Sequence, residues 1–113
     1  MGNSDGECRV NYRNPKLLSL ARGQSCTNCN AEDETIVSAH SNLSEHGKGK
    51  SIKAHDCYHA HLCLRCHSWL DQGTGRDPTG LYEGREGKRE MFMRAMCRTM
   101  LRLWLQGLVR VKA

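Results

Sequence analysis

The chain has 113 residues, of which 38% are hydrophobic and only 5% aromatic, a thin supply for a core of that length. Its mean hydropathy is -0.66, and no apolar run approaches the ~18–20 residues that span a bilayer, so a membrane-embedded reading is excluded. A formal net charge of +5 and a pI near 8.9 permit a polyanionic partner without requiring one.

Seven cysteines are an odd number, and no apolar segment near the N-terminus reads as a secretion signal. The expected compartment is therefore cytoplasmic, with the cysteines as thiols or metal ligands rather than disulfides. So small a core gains from such a staple. The opening "MGNSDG" is not a myristoylation signal, because Gly6 stands where Ser or Thr is required.

Residues 1–13 are polar and read as a frayed terminus. Asn14 can cap a short helix that starts at Pro15, runs through "KLLSLAR" and stops at Gly23. "CTNC", Cys26 to Cys29, is a tight turn bearing two thiols. "ETIVSAH" holds β-branched Thr35, Ile36 and Val37 and predicts a strand ending at His40. Residues 41–55 are rich in Gly, Lys and Ser and read as a long exposed loop. "DCYHAHLC" predicts a second strand, and "LRCHSWLD" a short helix ended by "QGTG". "RDPTGLY" is a connector.

From about Glu86 to Gln106 the pattern is helical. Phe92, Ala95, Met96, Thr99 and Leu103 recur on one face, which we expect to be buried. Arg94, Arg98 and Arg102 recur on another, read as a solvated face, with a phosphate-facing stripe as the alternative. Gly107 ends the helix, and "LVRV" reads as a last short strand. We expect one domain over 1–113: an N-terminal arm and short helix (1–22), a central unit (23–75), then connector, helix and tail (76–113).

The strongest chemical signal is Cys26-x2-Cys29 followed by Cys63-x2-Cys66. Two such pairs suit tetrahedral zinc, with Zn–S near ~2.3 Å, because each pair closes a small turn around the metal. The pairs are separated by positions 30–62, more than in simple zinc ribbons. Of the remaining cysteines, Cys97 reads as a small core residue, Cys57 as an alternative ligand, and Cys8 has no reading. If Cys66 opens a helix, His67 and Asp71 share one face. They then form a mixed N/O pair suited to several divalent ions, or simply a surface ion pair.

The ordered pattern "CTNC … SAH … D … LCLRCHSWLD" resembles the HNH, or His-Me finger, endonucleases. It is most similar to the small nuclease-like proteins of lambdoid prophages, the YbcO-like family, over roughly residues 17–113. The resemblance implies an α+β fold: a zinc-stapled treble-clef, or ββα-metal, finger with an added C-terminal helix. It implies structural Zn2+ on the four cysteines and a catalytic divalent metal (Mg2+, Mn2+, Ni2+ or Zn2+) on His67 and Asp71. His40 would be the general base, for which an unperturbed imidazole pKa near ~6.5 is suitable. Asp56 would orient His40, brace the loop or reach the metal. Many HNH proteins carry Asp or His before the base, where this chain has Ala39, and Asp56 lies where their central Asn falls.

Lys48, Lys50 and Lys53 in "GKGKSIK" are candidate DNA contacts, the glycines allowing close approach to phosphate. The segment is not a P-loop, lacking the required spacing. The expected activity is hydrolysis of DNA phosphodiester bonds in phage or prophage DNA processing or recombination, inside a bacterial host cell. DNA is the expected partner, and a recombination protein a further one. A non-catalytic treble-clef module that binds DNA is the alternative. A thiol redox protein is a weaker third, since its CxxC would sit beside a βαβ pattern that is absent.

Overall fold

A computed structural model describes residues 11–112; the readings of residues 1–10, Cys8 among them, lie outside it. The architecture is α+β, with three α-helices and a two-stranded antiparallel sheet among the described residues. None of the helices is long and apolar enough to cross a membrane.

Helix α1 spans Pro15–Ser19. Asn14 Oδ1 accepts the Leu17 amide at 3.0 Å, and Pro15 occupies a first-turn position where a missing N–H costs nothing. Strand β1, Val37–His40, pairs with β2, His59–Leu62, so that His40 faces His59 and Ser38 faces His61. All four β2 residues are buried, because α3, Gly84–Leu105, packs along β2 while α1 packs on β1. Helix α2, Leu64–Gln72, follows β2 after a single residue, Cys63. Its first amide, Leu64 N–H, is capped from a distance by Thr35 Oγ1 at 2.9 Å.

The core gathers Ile36, Ala39, Ala60 and Leu62 of the sheet region with Trp69 and Leu70 of α2 and Met91, Phe92 and Ala95 of α3. A polar seam crosses it. Thr99 Oγ1 accepts the His61 amide at 3.0 Å and donates to Thr27 Oγ1 at 3.2 Å. Thr27 in turn donates both its amide and its hydroxyl to the His61 carbonyl, at 2.8 and 2.9 Å. Helix, strand and cysteine turn are thereby locked in one register.

The expected buried face of the long helix is present at Phe92, Ala95, Thr99 and Leu103, with Met96 half-buried. Several expectations are corrected. Cys97 is exposed rather than core, since it lies about 200° from both Ala95 and Thr99 around a helix of 3.6 residues per turn. Of the arginine row, Arg94 and Arg98 are exposed, as a solvated face requires, and Arg102 is half-buried. Arg94 pairs with Glu90 at 2.8 Å, but Arg98 donates to the Thr27 carbonyl at 3.2 Å and Arg102 to the Ser25 carbonyl at 2.8 Å. Two of the three arginines thus bind the segment around the first cysteine pair.

"LVRV" forms no strand; Leu108 and Val109 amides close back on the Leu103 carbonyl. The loop after β1 contains a 3-10 turn, Ser44–His46, and a Gly49–Ile52 bridge. At its centre Gly47 has φ +93°, and a Cβ there would lie 2.8 Å from both Asn11 Nδ2 and His55 Cδ2, so only glycine fits. Residues 11–13, read as frayed, are tied to this loop: Asn11 Nδ2 donates to the Gly47 and Lys53 carbonyls.

Met91 is fully buried and Cys97 is exposed. Met91→Ala should therefore cost ~2–5 kcal/mol of unfolding free energy, whereas Cys97→Ser should change it by no more than ~0.5 kcal/mol. Urea titration of both variants checks this; a large loss for Cys97→Ser would contradict the burial pattern.

Candidate functional site

The site is built where the two cysteine pairs meet. The first pair lies in a turn closed by Asn30 N–H to the Cys26 carbonyl and Cys26 N–H to the Ala31 carbonyl, both 2.9 Å. The second pair opens α2, Cys63 as the residue before its first turn and Cys66 within it. The sulfurs of Cys26, Cys29, Cys63 and Cys66 all lie within 4.8 Å of one another, with Cys29 and Cys63 at 3.6 Å. Tetrahedral zinc with Zn–S near ~2.3 Å requires sulfurs about 3.8 Å apart, so the donor set and its spacing fit a structural zinc ion.

Crowded thiols compete for protons. The hydrogen bond between Cys26 and Cys66 holds the Cys26 thiol well below its usual range and pushes Cys66 up. Amides of Asn28 and Cys29 point at Cys26 Sγ from 3.4 and 3.5 Å, and Asn28 Nδ2 at Cys66 Sγ from 3.2 Å. Donors aimed at sulfur favour thiolate, the form that binds metal. Cys57, the alternative ligand, stands apart from the cluster, in the turn before β2.

Behind the sulfurs stands Asp77, which is buried. Its Oδ2 accepts Asn28 Nδ2 at 2.9 Å, and it also gathers the Thr79, Leu81 and Tyr82 amides. Burial raises the Asp77 pKa, but these bonds outweigh it and hold the carboxyl below its usual range. In the sequence "RDPTGLY" reads only as a connector; nothing there marks the contact of Asp77 with Asn28, the neighbour of Cys66 Sγ.

His40 sits at the end of β1 with Nε2 2.8 Å from Asp56 Oδ1. Arg13 Nη1 reaches the same oxygen at 3.3 Å, and the Asn14 amide donates to Oδ2. Burial works against an ionised Asp56, but the His40 hydrogen bond, the Asn14 amide and the charges of His40 and Arg13 prevail, and its pKa is lowered. A carboxylate can only accept, so His40 Nε2 is the donor in this hydrogen bond. The Asp56 carboxylate thus contacts His40 and also braces the segment that carries Arg13 and Asn14. Arg13 and Asn14 were missed as its partners because they precede it by more than 40 positions.

On α2, His67 Nε2 and Asp71 Oδ2 are 3.2 Å apart, both partly exposed. Asn42, two residues beyond His40, extends Nδ2 to Asp71 Oδ1 at 3.4 Å. It links the end of β1 to this pair, and nothing in the sequence marked it. The pair supplies one imidazole nitrogen and one carboxylate on an open face, a donor set compatible with a hydrated divalent ion.

The remaining histidines are structural partners here. His46 Nδ1 bonds Ser41 Oγ at 2.6 Å and its ring stacks on Tyr58, while His55 Nδ1 accepts the Tyr12 amide at 2.9 Å. His59 donates Nδ1–H to the Asp56 carbonyl at 2.7 Å. Burial lowers the pKa of His59 and of His61, the latter to about 4, so both are neutral near pH 7. Of the candidate lysines, Lys48 Nζ turns back to the Gly49 carbonyl at 3.0 Å, whereas Lys50 and Lys53 are exposed.

No family model, curated protein or solved structure matches this chain.

The purified protein should carry one zinc per chain by atomic emission. Cys66→Ser should lose it together with cooperative unfolding, and Cys57→Ser should keep it. Asn28→Ala or Asp77→Ala should weaken zinc affinity about 10–100-fold, as loss of a partner behind a ligand does. Stoichiometric zinc in Cys66→Ser would overturn the ligand assignment.

Proposed function

We propose that the chain is a metal-dependent endonuclease of the HNH type, a zinc-stapled treble-clef ββα-metal finger that hydrolyses DNA phosphodiester bonds. The observation that carries the reading is the His40–Asp56 pair, linked through Asn42 to a second imidazole–carboxylate pair on α2. A module that only binds nucleic acid has no use for an imidazole held by a carboxylate with its other nitrogen free.

In this reading His40 Nδ1 takes a proton from a water molecule. The water oxygen bonds to phosphorus, the P–O3′ bond breaks, and the departing oxygen takes a proton from solvent. The products are a 5′-phosphate and a 3′-hydroxyl. Asp56 keeps the imidazole in the tautomer with Nδ1 free and stabilises the imidazolium that forms. His67 and Asp71 would hold a divalent ion such as Mg2+, Mn2+, Ni2+ or Zn2+, which would supply Lewis-acid stabilisation of developing negative charge.

Exposed Lys50 and Lys53 supply positive charge to a strand passing the loop. Lys48, turned inward, contributes to the loop's shape. The resemblance to prophage proteins supports a role in phage DNA processing or recombination, in a bacterial cytoplasm, alongside a recombination protein.

Metal-dependent nicking of supercoiled plasmid should fall about 10²–10⁴-fold in His40→Ala, the usual worth of a general base. Zinc content and thermal unfolding should stay at wild-type values, since His40 lies outside the sulfur cluster. In His67→Ala, added metal should restore part of the rate. Full cleavage by a folded His40→Ala variant would sink the assignment, and salt-sensitive binding without cleavage by wild type would favour the non-catalytic module.

A further inference from the structure

Asp71 does more than face His67. It also forms part of the wall of a cavity of about 640 Å³ between the Asn42–Leu43 segment, the turn after α2 and the first turns of α3. That volume lies within the ~300–1,000 Å³ of sites that accept small organic molecules. Leu43, Leu70 and Phe92 supply an apolar floor. Lys88 closes one side: its Nζ donates to the Gly73 carbonyl at 2.8 Å and lies 5.5 Å from the centre of the Trp69 ring. Arg85 and Arg89 stand on the exposed rim. Arg89 pairs with Glu45 at 3.0 Å, but both side chains are more than half exposed, so the pair exchanges readily for another anion.

An apolar floor, a cationic rim and a metal-binding carboxylate in the wall match the parts of one nucleotide: base, flanking phosphates and scissile phosphate. A paired base enters a cavity only by unstacking and unpairing, whereas an unpaired one enters at lower cost. We propose that this cavity receives an unpaired nucleotide next to the bond to be cut, so that the substrate is single-stranded DNA or a branched structure with a single-stranded arm rather than continuous duplex. Such an occupant rests on the nuclease reading and specifies the substrate class of the same site. The charge of the cavity favours a nucleotide, since Arg85, Lys88 and Arg89 line it against Asp71 and Glu86, and in the nuclease reading Asp71 would be neutralised by a metal ion.

Binding can be measured without depending on cleavage. His40→Ala protein, zinc-loaded and in magnesium buffer, is titrated into a fluorescent single-stranded oligonucleotide and, separately, into its duplex. The single strand should bind about tenfold tighter, the scale of one base-stacking contact. Thr74→Trp, at an exposed position on the cavity wall, should abolish that preference and leave duplex affinity unchanged. Arg85→Glu should also weaken single-strand binding, with zinc content as the check on folding. Equal affinity for the two DNAs, binding to neither, or a preference that survives both substitutions would overturn the inference. Failure of the nuclease reading itself would register separately, as loss of His40-dependent cleavage in the wild-type protein.

Discussion

Four sulfur atoms share one small volume, and that constraint sets the position of nearly everything else. It joins a turn before β1 to the first turn of α2; those two segments bracket the strand that ends in His40, and the second opens the helix that carries His67 and Asp71. A chain with so few aromatic side chains has little apolar surface with which to fix such a geometry. Four thiolates at this spacing would repel one another without a metal ion, so a zinc bound here would couple metal binding to folding.

The rest of the framework supports that junction in layers. Asn28 and Asp77 hold the sulfurs from behind. Arg98 and Arg102 fasten the long helix to the same region, and the Thr27–His61–Thr99 seam keeps strand and helix in register. On the opposite side, the segment 11–14 clasps the loop and fixes the carboxylate that holds His40. Helix α2 therefore presents sulfur on its inner side and an imidazole–carboxylate pair on its outer side.

What could be read from the sequence was what local spacing encodes. The two Cys-x2-Cys pairs, the end of the strand at His40 and the apolar face of the last helix follow from periods of two, three and four residues. The exposure of Cys97 was also encoded, because it falls opposite Ala95 and Thr99; the assumption that a helical cysteine is core overrode the spacing. The clasp of Arg13 and Asn14 on Asp56, the hydrogen bonds of Arg98 and Arg102 to the Thr27 and Ser25 carbonyls and the reach of Asp77 to Asn28 join residues 42 to 77 positions apart, and no local pattern specifies such partners. "LVRV" had strand propensity but no neighbouring edge to pair with, and propensity without a partner makes no strand.

The central claim is that one nine-residue helix serves two metal sites of different character. Titrating Mn2+ into the zinc-loaded protein, followed by electron paramagnetic resonance, tests it most directly. The account predicts one bound Mn2+ per chain in addition to the zinc, lost in His67→Ala and in Asp71→Ala while zinc content is unchanged. No Mn2+ bound by the wild type, or binding undiminished in both variants, would contradict it.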